Sequence, residues 1–381
     1  MNKPLMKNYT SETASLIGKR PLDIRNHTET ILITVDHKLE DGYSKKLSSN
    51  RVAKDSGGFK FLMEPEKAEG FDVNTLVESH RRIGLNDNDI IIAADFPIPR
   101  FANLTDEEVI NRQQTSCDWY TEMKEAIPQT IPVIHGRNAK EILYHLNNYN
   151  TDGMVGFGSN LAQSTHRVMS RIGAAKTDST KPLVSKSDLW QVIIEASEEL
   201  LQQDRKFFLL GAGGMNAAKI ATMLGAECVD ATSWRLNAMT RRLMDAEHGR
   251  FIKVGRDSTL HKEWADSHLR KAHQEDDHPF GYAKGYAFDE MIALLSADGA
   301  EATTARGLHN IWELDRDAKE LSEMADDPDR LKQHILNQWQ GTGYHHSLNK
   351  KILAQAYDIR KGASPADEFI NFHALDSTIV A

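Results

Sequence analysis

The chain has 381 residues, a formal net charge of −9 and two cysteines. This length suits one large domain with insertions, and the acidic balance argues against a protein that coats nucleic acid by charge alone, although it permits one local basic surface. Cys117 and Cys228 belong to no Cys-x-x-Cys pattern, which excludes a disulfide framework and a cysteine-rich zinc site. The chain begins without the apolar run of a signal peptide, and no stretch approaches the roughly 20 apolar residues that span a bilayer, so we expect a cytoplasmic protein that does not enter membranes.

Short apolar runs alternate with longer amphipathic stretches along residues 29–234. The runs are ETILITVDH (29–37), RVAKDSGGFKFLM (51–63), DIIIAADFPIP (89–99), QTIPVIHG (129–136), GMVGFGS (153–159), RKFFLLGAG (205–213) and AECVDATSW (226–234). Helical patterns cover residues 106–127, 138–149, 187–203 and 216–225. This alternation predicts a parallel sheet covered by helices, and seven or eight such units favour a closed (β/α)8 barrel of the α/β class. The first strand has two candidate positions, residues 16–17 and the 29–37 run.

The composition changes after Trp234. Residues 235–300 are charged and contain several histidines, which predicts an insertion or subdomain, and the apolar spacing from about 303 to 361 is helical. We therefore expect the barrel to cover residues 1–315, with a charged insertion at about 235–300, and a helical extension to cover residues 316–381.

Three predicted strands end at an aspartate, namely Asp55, Asp95 and Asp230, and a fourth ends at His135. In a barrel these strand ends meet at one mouth. Because neighbouring carboxylates raise one another's pKa, their convergence is costly unless a site uses them, for example as a nucleophile, a general acid/base and a reader of a purine edge. On pattern alone, helix capping or a turn explains Asp95 as well as function does, and His135 could be an ordinary turn residue.

Asp55 is followed by Ser56, Gly57, Gly58 and Phe59, and the two glycines allow a ligand or another backbone to come close. The sequence DSGGF resembles the signature of the tRNA-guanine transglycosylase superfamily. Further segments resemble that family's motifs in the same order over about residues 50–315. These segments are ADFP, PVIHG, GFGSN, LLGAGG, GAECVDATSWR and LHNIW.

The resemblance implies a (β/α)8 enzyme that exchanges guanine through a covalent glycosyl-enzyme. It implies that Asp230 is the nucleophile, that Asp55 is the general acid/base and that Asp95 pairs with the N1 and amine edge of the base. His135 stands where the family has Gln. The other substrate-binding residues that the resemblance implies are Ser56, Gly57, Phe59, Lys60, Gly158 and Ser159.

The chain departs from the tRNA enzymes at their zinc site, which uses three clustered cysteines and a histidine. No cysteine lies between Cys228 and His309. His261, His268, His273 and His278 fit no standard zinc spacing, so we interpret them as solvated surface side chains and predict neither a metal site nor a cofactor.

Lys60 and His135 both replace glutamines of the family pattern, which leaves the identity of the incoming base open. These changes, the short N-terminal part and the lack of an appended RNA-binding domain resemble the DNA-directed branch of the superfamily, the DpdA-type DNA transglycosylases of bacteria and phages. That branch inserts 7-deazaguanines such as preQ0. The expected partners are therefore DNA and a 7-deazaguanine base.

A basic stretch follows the predicted strand of Asp230. Its candidate phosphate contacts are Arg235, Arg241, Arg242, Arg250, Lys253 and Arg256. Because Asp245 and Glu247 are interleaved with them, a solvated helix face is an equally good interpretation.

Three alternatives stay open. The first is a tRNA-guanine transglycosylase without the usual zinc. The second is a non-catalytic, nucleic-acid-binding paralogue that assists a protein partner, and the presence of both Asp55 and Asp230 argues against it. The third is a barrel hydrolase or aldolase for a small molecule, which would predict neither DSGGF nor the basic stretch. A homodimer or other protein partners stay possible with each.

Overall fold

The computed structural model describes residues 7–12, 27–35, 39–99, 104–158, 186–255, 258–339 and 344–363. Within these residues, nine parallel strands form one sheet. Their bounds are β1 Lys7–Glu12, β2 Thr30–Thr34, β3 Arg51–Asp55, β4 Ile90–Ile92, β5 Thr130–Ile131, β6 Val133–Ile134, β7 Val155–Phe157, β8 Phe207–Leu209 and β9 Cys228–Ala231.

The strands are ordered β5-β4-β3-β2-β1-β9-β8-β7-β6, and every neighbouring pair is parallel. The register pairs Thr34 with Asp55 and Tyr9 with Asp230. The first and last strands of this order, β5 and β6, are separated in the chain by Pro132 alone. Proline cannot donate a backbone hydrogen bond, which is why the segment breaks there.

Helices connect these strands. Their bounds are α1 Phe59–Met63, α2 Val73–Ile83, α3 Asp106–Ala126, α4 Ala139–Asn148, α5 Lys186–Gln202 and α6 Met215–Met223. Local sequence fixes several of their starts. The Asp72 carboxylate accepts the N–H groups of Asn74 and Thr75 at the start of α2, and Thr105 forms a reciprocal capping box with Glu108 at the start of α3.

The predicted parallel α/β architecture is confirmed. Each of the seven apolar runs contains a strand, and each of the four helical patterns matches a helix to within two residues at either end. Of the two candidates for the first strand, the 29–37 run was wrong, because this run is β2 and β1 precedes it. The other candidate, residues 16–17, lies outside the described part of the chain. β1 has the polar sequence KNYTSE, which gives no apolar signal.

The sheet buries apolar side chains on both faces, which explains why its strands are continuous apolar runs. Ile31, Ile33 and Val52 belong to the main cluster, which packs the sheet against its helices. Leu32 and Ala53, which alternate with them, belong to a second cluster on the opposite face. This smaller cluster contains Leu32, Ala53, Ile92, Val133, Phe208, Leu210 and Cys228.

The chain after β9 is mainly helical, as predicted. Its elements are α7 Ser233–Met239, the antiparallel pair β10 Arg242–Asp245 and β11 Arg250–Lys253, α8 Glu263–Gln274, α9 Phe288–Ser296, α10 Ala300–Met324, α11 Pro328–Gln338 and α12 Tyr344–Arg360. The hairpin, α8, α9 and the start of α10 share an apolar core of their own. Residue 315, where we divided barrel from extension, lies inside α10. Among the described helices, none is long and apolar enough to cross a membrane.

Candidate active site

A pocket lies at the carboxyl ends of the parallel strands. Its lining residues are Leu32, Asp55, Gly58, Leu62, Asp95, Pro97, His135, Gly158, Leu210 and Asp230. Leu32 and Leu210 also belong to the smaller apolar cluster, so the pocket sits on a packed apolar floor. Open parallel sheets and barrels both place their ligands at this end of the strands.

Strand ends bring the polar residues of the pocket together. Asp55 is the last residue of β3, and Asp230 lies one residue before the end of β9. Asp95 follows β4 by three residues, while His135 and Gly158 directly follow β6 and β7. Because the strands are parallel, residues far apart in sequence meet at one edge, as the sequence predicted for Asp55, Asp95, His135 and Asp230.

Burial and like charges raise the pKa of Asp55 to about 7. Burial is the largest cause, and the nearby carboxylates of Asp95 and Asp230 act in the same direction. The Gly57 N–H, which donates to Asp55 Oδ1 over 3.1 Å, and the charge of Lys60 oppose the shift. Both protonation states of Asp55 are therefore populated near neutral pH, which is the property that a proton shuttle needs.

Asp95 and His135 form a buried pair. His135 Nε2 lies 2.6 Å from Asp95 Oδ2, and the two residues are 3% and 7% exposed, respectively. The main chain of His135 is also fixed, because its N–H donates to His145 Nδ1 and its carbonyl accepts from Gln113 Nε2, each over 3.0 Å. Burial lowers the pKa of His145 to about 3, so this supporting ring is neutral and can accept. The pair is held rigidly at the pocket wall.

Two glycines make room for this pair. A β-carbon on residue 58 would lie 1.9 Å from Asp95 Oδ1, and one on residue 158 would lie 2.0 Å from His135 Cε1. Real β-carbons do not approach other atoms this closely, so only glycine fits at either position without movement of Asp95 or His135. The second glycine of DSGGF, Gly58, is therefore required for packing against Asp95.

The Gly211–Gly214 turn holds Asp230. The N–H of Gly211 donates to Asp230 Oδ1, and the N–H of Gly213 donates to the Asp230 carbonyl over 2.6 Å. Gly211 has a φ of 77°, which favours glycine. Gly58 and Gly211 were not predicted as site residues, although a glycine-rich turn after an apolar run is a usable signal for them.

Other predicted substrate contacts are placed differently. Ser56 is 1% exposed and its hydroxyl donates to the Ile92 carbonyl, so its side chain supports the core instead of facing the pocket. Lys60 is exposed and is not among the lining residues, and its Nζ is 4.6 Å from the centroid of the Phe71 ring. Gly57 has a φ of 79° and orients the carboxylate of Asp55. The side chain of Phe59 and all of Ser159 lie outside the described residues.

The predicted basic surface divides into two groups. Arg242 on β10 and Lys253 on β11 are exposed and directly opposite each other in the hairpin register. Arg250 instead donates from Nε to Asp245 over 2.7 Å, and Arg241 pairs with Asp298. Arg235 is half-buried on α7, the helix that follows β9, and Arg256 lies outside the described residues. Like charges directly opposite on a hairpin repel.

The interpretation of the four histidines His261, His268, His273 and His278 as surface side chains was wrong for three of them. His261 is exposed, whereas His268, His273 and His278 are buried, and His309 is buried as well. The expected absence of the family's cysteine zinc site has a simple basis, because Cys117 lies on α3 and Cys228 lies on β9. A zinc site with three cysteine ligands therefore does not fit this chain.

No protein-family model matches the chain, and no curated protein matches it.

Proposed function

We propose that this chain is a base-exchange enzyme, a pentosyltransferase that replaces a guanine in DNA by a 7-deazaguanine. The observation that carries the proposal is the convergence of Asp55, Asp95 and Asp230 on one pocket, with His135 paired to Asp95. Three carboxylates in different environments provide the separate roles that glycosidic base exchange requires.

We propose further that the parallel sheet closes into a (β/α)8 barrel. The pairing pattern supports this, because β5 bonds to β4 and β6 bonds to β7, although only Pro132 separates β5 from β6. When residues 130–134 are taken as one strand, the two ends of the sheet order become the same segment. The strand ends that carry the candidate residues would then encircle one mouth.

In the first half of the reaction, Asp230 acts as the nucleophile. Its carboxylate attacks C1′ of the target nucleotide and the bond from C1′ to the guanine nitrogen breaks, which leaves a covalent glycosyl ester on Asp230. Protonated Asp55 gives its proton to the departing guanine and becomes a carboxylate. Its pKa of about 7 supports this role, since an acid with an ordinary aspartate pKa would be ionised at neutral pH.

In the second half, the same two residues act in reverse. The 7-deazaguanine loses the proton on its attacking ring nitrogen to the Asp55 carboxylate, and that nitrogen displaces Asp230 from C1′. Asp55 ends protonated and Asp230 ends ionised, so the enzyme returns to its starting state without a co-reactant.

Asp95 and His135 would recognise the base edge. A carboxylate accepts hydrogen bonds from the N1–H and exocyclic amine that guanine and 7-deazaguanines share. His135 Nε2 already occupies one oxygen of Asp95, which would leave the other oxygen and the remaining acceptor sites for the base. This contact supports a role for His135 in orienting the Asp95 carboxylate toward the base.

DNA is the preferred polymer because of the resemblance described above and the basic hairpin. Arg242 and Lys253 lie on the hairpin that follows the nucleophile strand, and they would contact phosphates of the DNA backbone. A base inside a duplex must be flipped out to reach a pocket of this kind.

The test uses purified full-length chain with duplex DNA, and separately with bulk tRNA, each carrying labelled guanine, in the presence of preQ0. We expect label release from DNA and a 7-deazaguanine deoxynucleoside after digestion. Asp230→Asn should abolish both signals. Asp152→Asn is the matched control, because this exposed aspartate lies in the loop before β7, at the opposite end of the strand from the pocket.

The outcomes separate the alternatives. Release from tRNA alone would replace DNA by tRNA as the substrate. Release that persists in Asp230→Asn would remove the assigned nucleophile. An absence of release from either polymer would favour the non-catalytic, nucleic-acid-binding paralogue.

A further inference from the structure

A second cluster of titratable side chains lies in the region after β9. It joins Asp245 at the end of β10, His248 in the following turn and His268 on α8. The Nδ1 atoms of His248 and His268 lie 2.9 and 3.4 Å from Asp245 Oδ1. Asp245 and His268 are buried, while 39% of the His248 side chain is exposed.

The ring of His268 is the unusual member of this cluster. It is buried, its Nδ1 lies 3.4 Å from Asp245 Oδ1 and its Nε2 lies 3.1 Å from Glu313 Oε1, so each ring nitrogen faces a carboxylate. Two ligand atoms bound tetrahedrally to zinc at about 2.0–2.1 Å lie about 3.4 Å apart, which matches the 3.4 Å between His268 Nδ1 and Asp245 Oδ1. His248 Nδ1 is hydrogen-bonded to Asp245 Oδ1 at 2.9 Å and would move away by about 0.5 Å when a cation enters.

We propose that Asp245, His248 and His268 bind one divalent cation of the zinc class, through one carboxylate oxygen and two imidazole nitrogens. Two histidines and a carboxylate form a common three-residue zinc set, and the exposed side of His248 leaves room for water as a fourth ligand. This inference does not depend on the proposed base exchange.

The surroundings of the cluster fit this ligand set. Glu313 faces the second nitrogen of His268, which is the position of the carboxylate that orients a metal-bound histidine. Arg250 Nε donates to the other oxygen of Asp245 over 2.7 Å and fixes that ligand. His309 is a poorer ligand, because His278 and the Met244 carbonyl lie within hydrogen-bond distance of its two nitrogens.

The bound cation would fasten the hairpin to α8. Asp245 and His248 belong to the hairpin and its turn, and His268 belongs to the helix. The same hairpin carries Arg242 and Lys253, so the cation would hold this basic surface in place.

The test measures metal binding directly on untagged full-length protein. After treatment with a chelator, Zn²⁺ should bind with a stoichiometry of one and raise the Tm. Co²⁺ in its place should give the visible absorption bands of a four-coordinate site. These readouts are independent of enzymatic activity, so a failure of the base-exchange proposal would leave them unchanged.

His248→Ala is the main variant, since a half-exposed turn residue can be removed without loss of the fold. We expect it to weaken Zn²⁺ binding by more than about tenfold, and Glu313→Gln by about 10- to 100-fold. His261→Ala, which removes an exposed histidine outside the cluster, should bind Zn²⁺ like the wild type. Equal binding by His248→Ala and His261→Ala would overturn the proposal, as would the absence of a Zn²⁺-dependent Tm shift in the wild type.

Discussion

Gly58 and Asp95 approach so closely that a β-carbon on residue 58 would lie 1.9 Å from Asp95 Oδ1. The two residues come from different strand connections, so the contact locks the loop after β3 against the loop after β4. On the other side, Asp95 contacts His135. The candidate base-reading carboxylate is therefore held between two neighbours that leave it little freedom.

Gly58→Ala should impair base exchange more than it impairs folding. The added methyl group must displace the Asp95 carboxylate, and a shift of about 1 Å in a positioned group costs about 100-fold in rate. We expect kcat/KM to fall at least tenfold. Gly153→Ala is the control, since its β-carbon would make only an ordinary 3.5 Å contact with Thr151. Equal activity of the two variants would contradict the role of this contact.

The release of guanine should slow at high pH. The first half of the reaction needs protonated Asp55, whose pKa is about 7, so the single-turnover rate should fall by up to tenfold per pH unit above about 7. Rates measured between pH 6 and 9 test this. A rate that stays constant up to pH 9 would show that Asp55 is not the proton donor.

Asp55 should also make the fold less stable as pH rises. Its pKa is 3.8 as a model group and about 7 in the folded protein, so the folded state holds the proton more tightly between these values. The free energy of unfolding therefore declines with pH in this window, by about 1.4 kcal/mol per unit and about 4 kcal/mol in total. In denaturant titrations from pH 5 to 8.5, Asp55→Asn should gain stability relative to the wild type up to about pH 7 and then level off. Asp152→Asn should parallel the wild type throughout, and a similar gain in that control would refute the assignment to Asp55.

For the rate of base exchange, a side chain at position 135 that reaches Asp95 and donates a hydrogen bond should matter more than an imidazole ring as such. Glutamine can still donate to Asp95, whereas alanine leaves a buried carboxylate without its partner. We expect His135→Gln to keep kcat/KM within about tenfold of the wild type and His135→Ala to lose about 100-fold or more, since unpaired buried charges cost several kcal/mol. Comparable losses in both variants would mean that the imidazole itself is required.

Arg242 and Lys253 should contribute to DNA binding through charge. Each alanine variant is expected to lower the slope of log K against log salt by about 1, because each phosphate contact releases about one counterion. Fluorescence anisotropy with a labelled duplex at several salt concentrations measures this slope. Arg81→Ala on α2, an exposed arginine paired with Glu78, should leave the slope unchanged. Slopes that are equal in all three variants would exclude the hairpin as the DNA surface.

The sequence of residues 29–234 was sufficient to predict most of the fold. β-Branched runs buried on both faces and amphipathic helices between them predicted a parallel sheet, and parallel strands place their carboxyl ends together. For this reason the sequence alone groups Asp55, Asp95, His135 and Asp230 at one edge of the sheet. Strand β1 could not be predicted, because KNYTSE has no apolar run and its place is set by pairing with β2 and β9.

Only the tertiary structure decided which side chains form hydrogen bonds and ion pairs with one another. The sequence could not show that Ser56 bonds to a strand carbonyl, that Arg250 is engaged by Asp245, or that His268 is buried between two carboxylates. Residue type and spacing determine which elements form and which side chains share a strand end. Burial, the resulting pKa and the choice of hydrogen-bond partner depend on segments distant in sequence, so they arise only when the chain is packed.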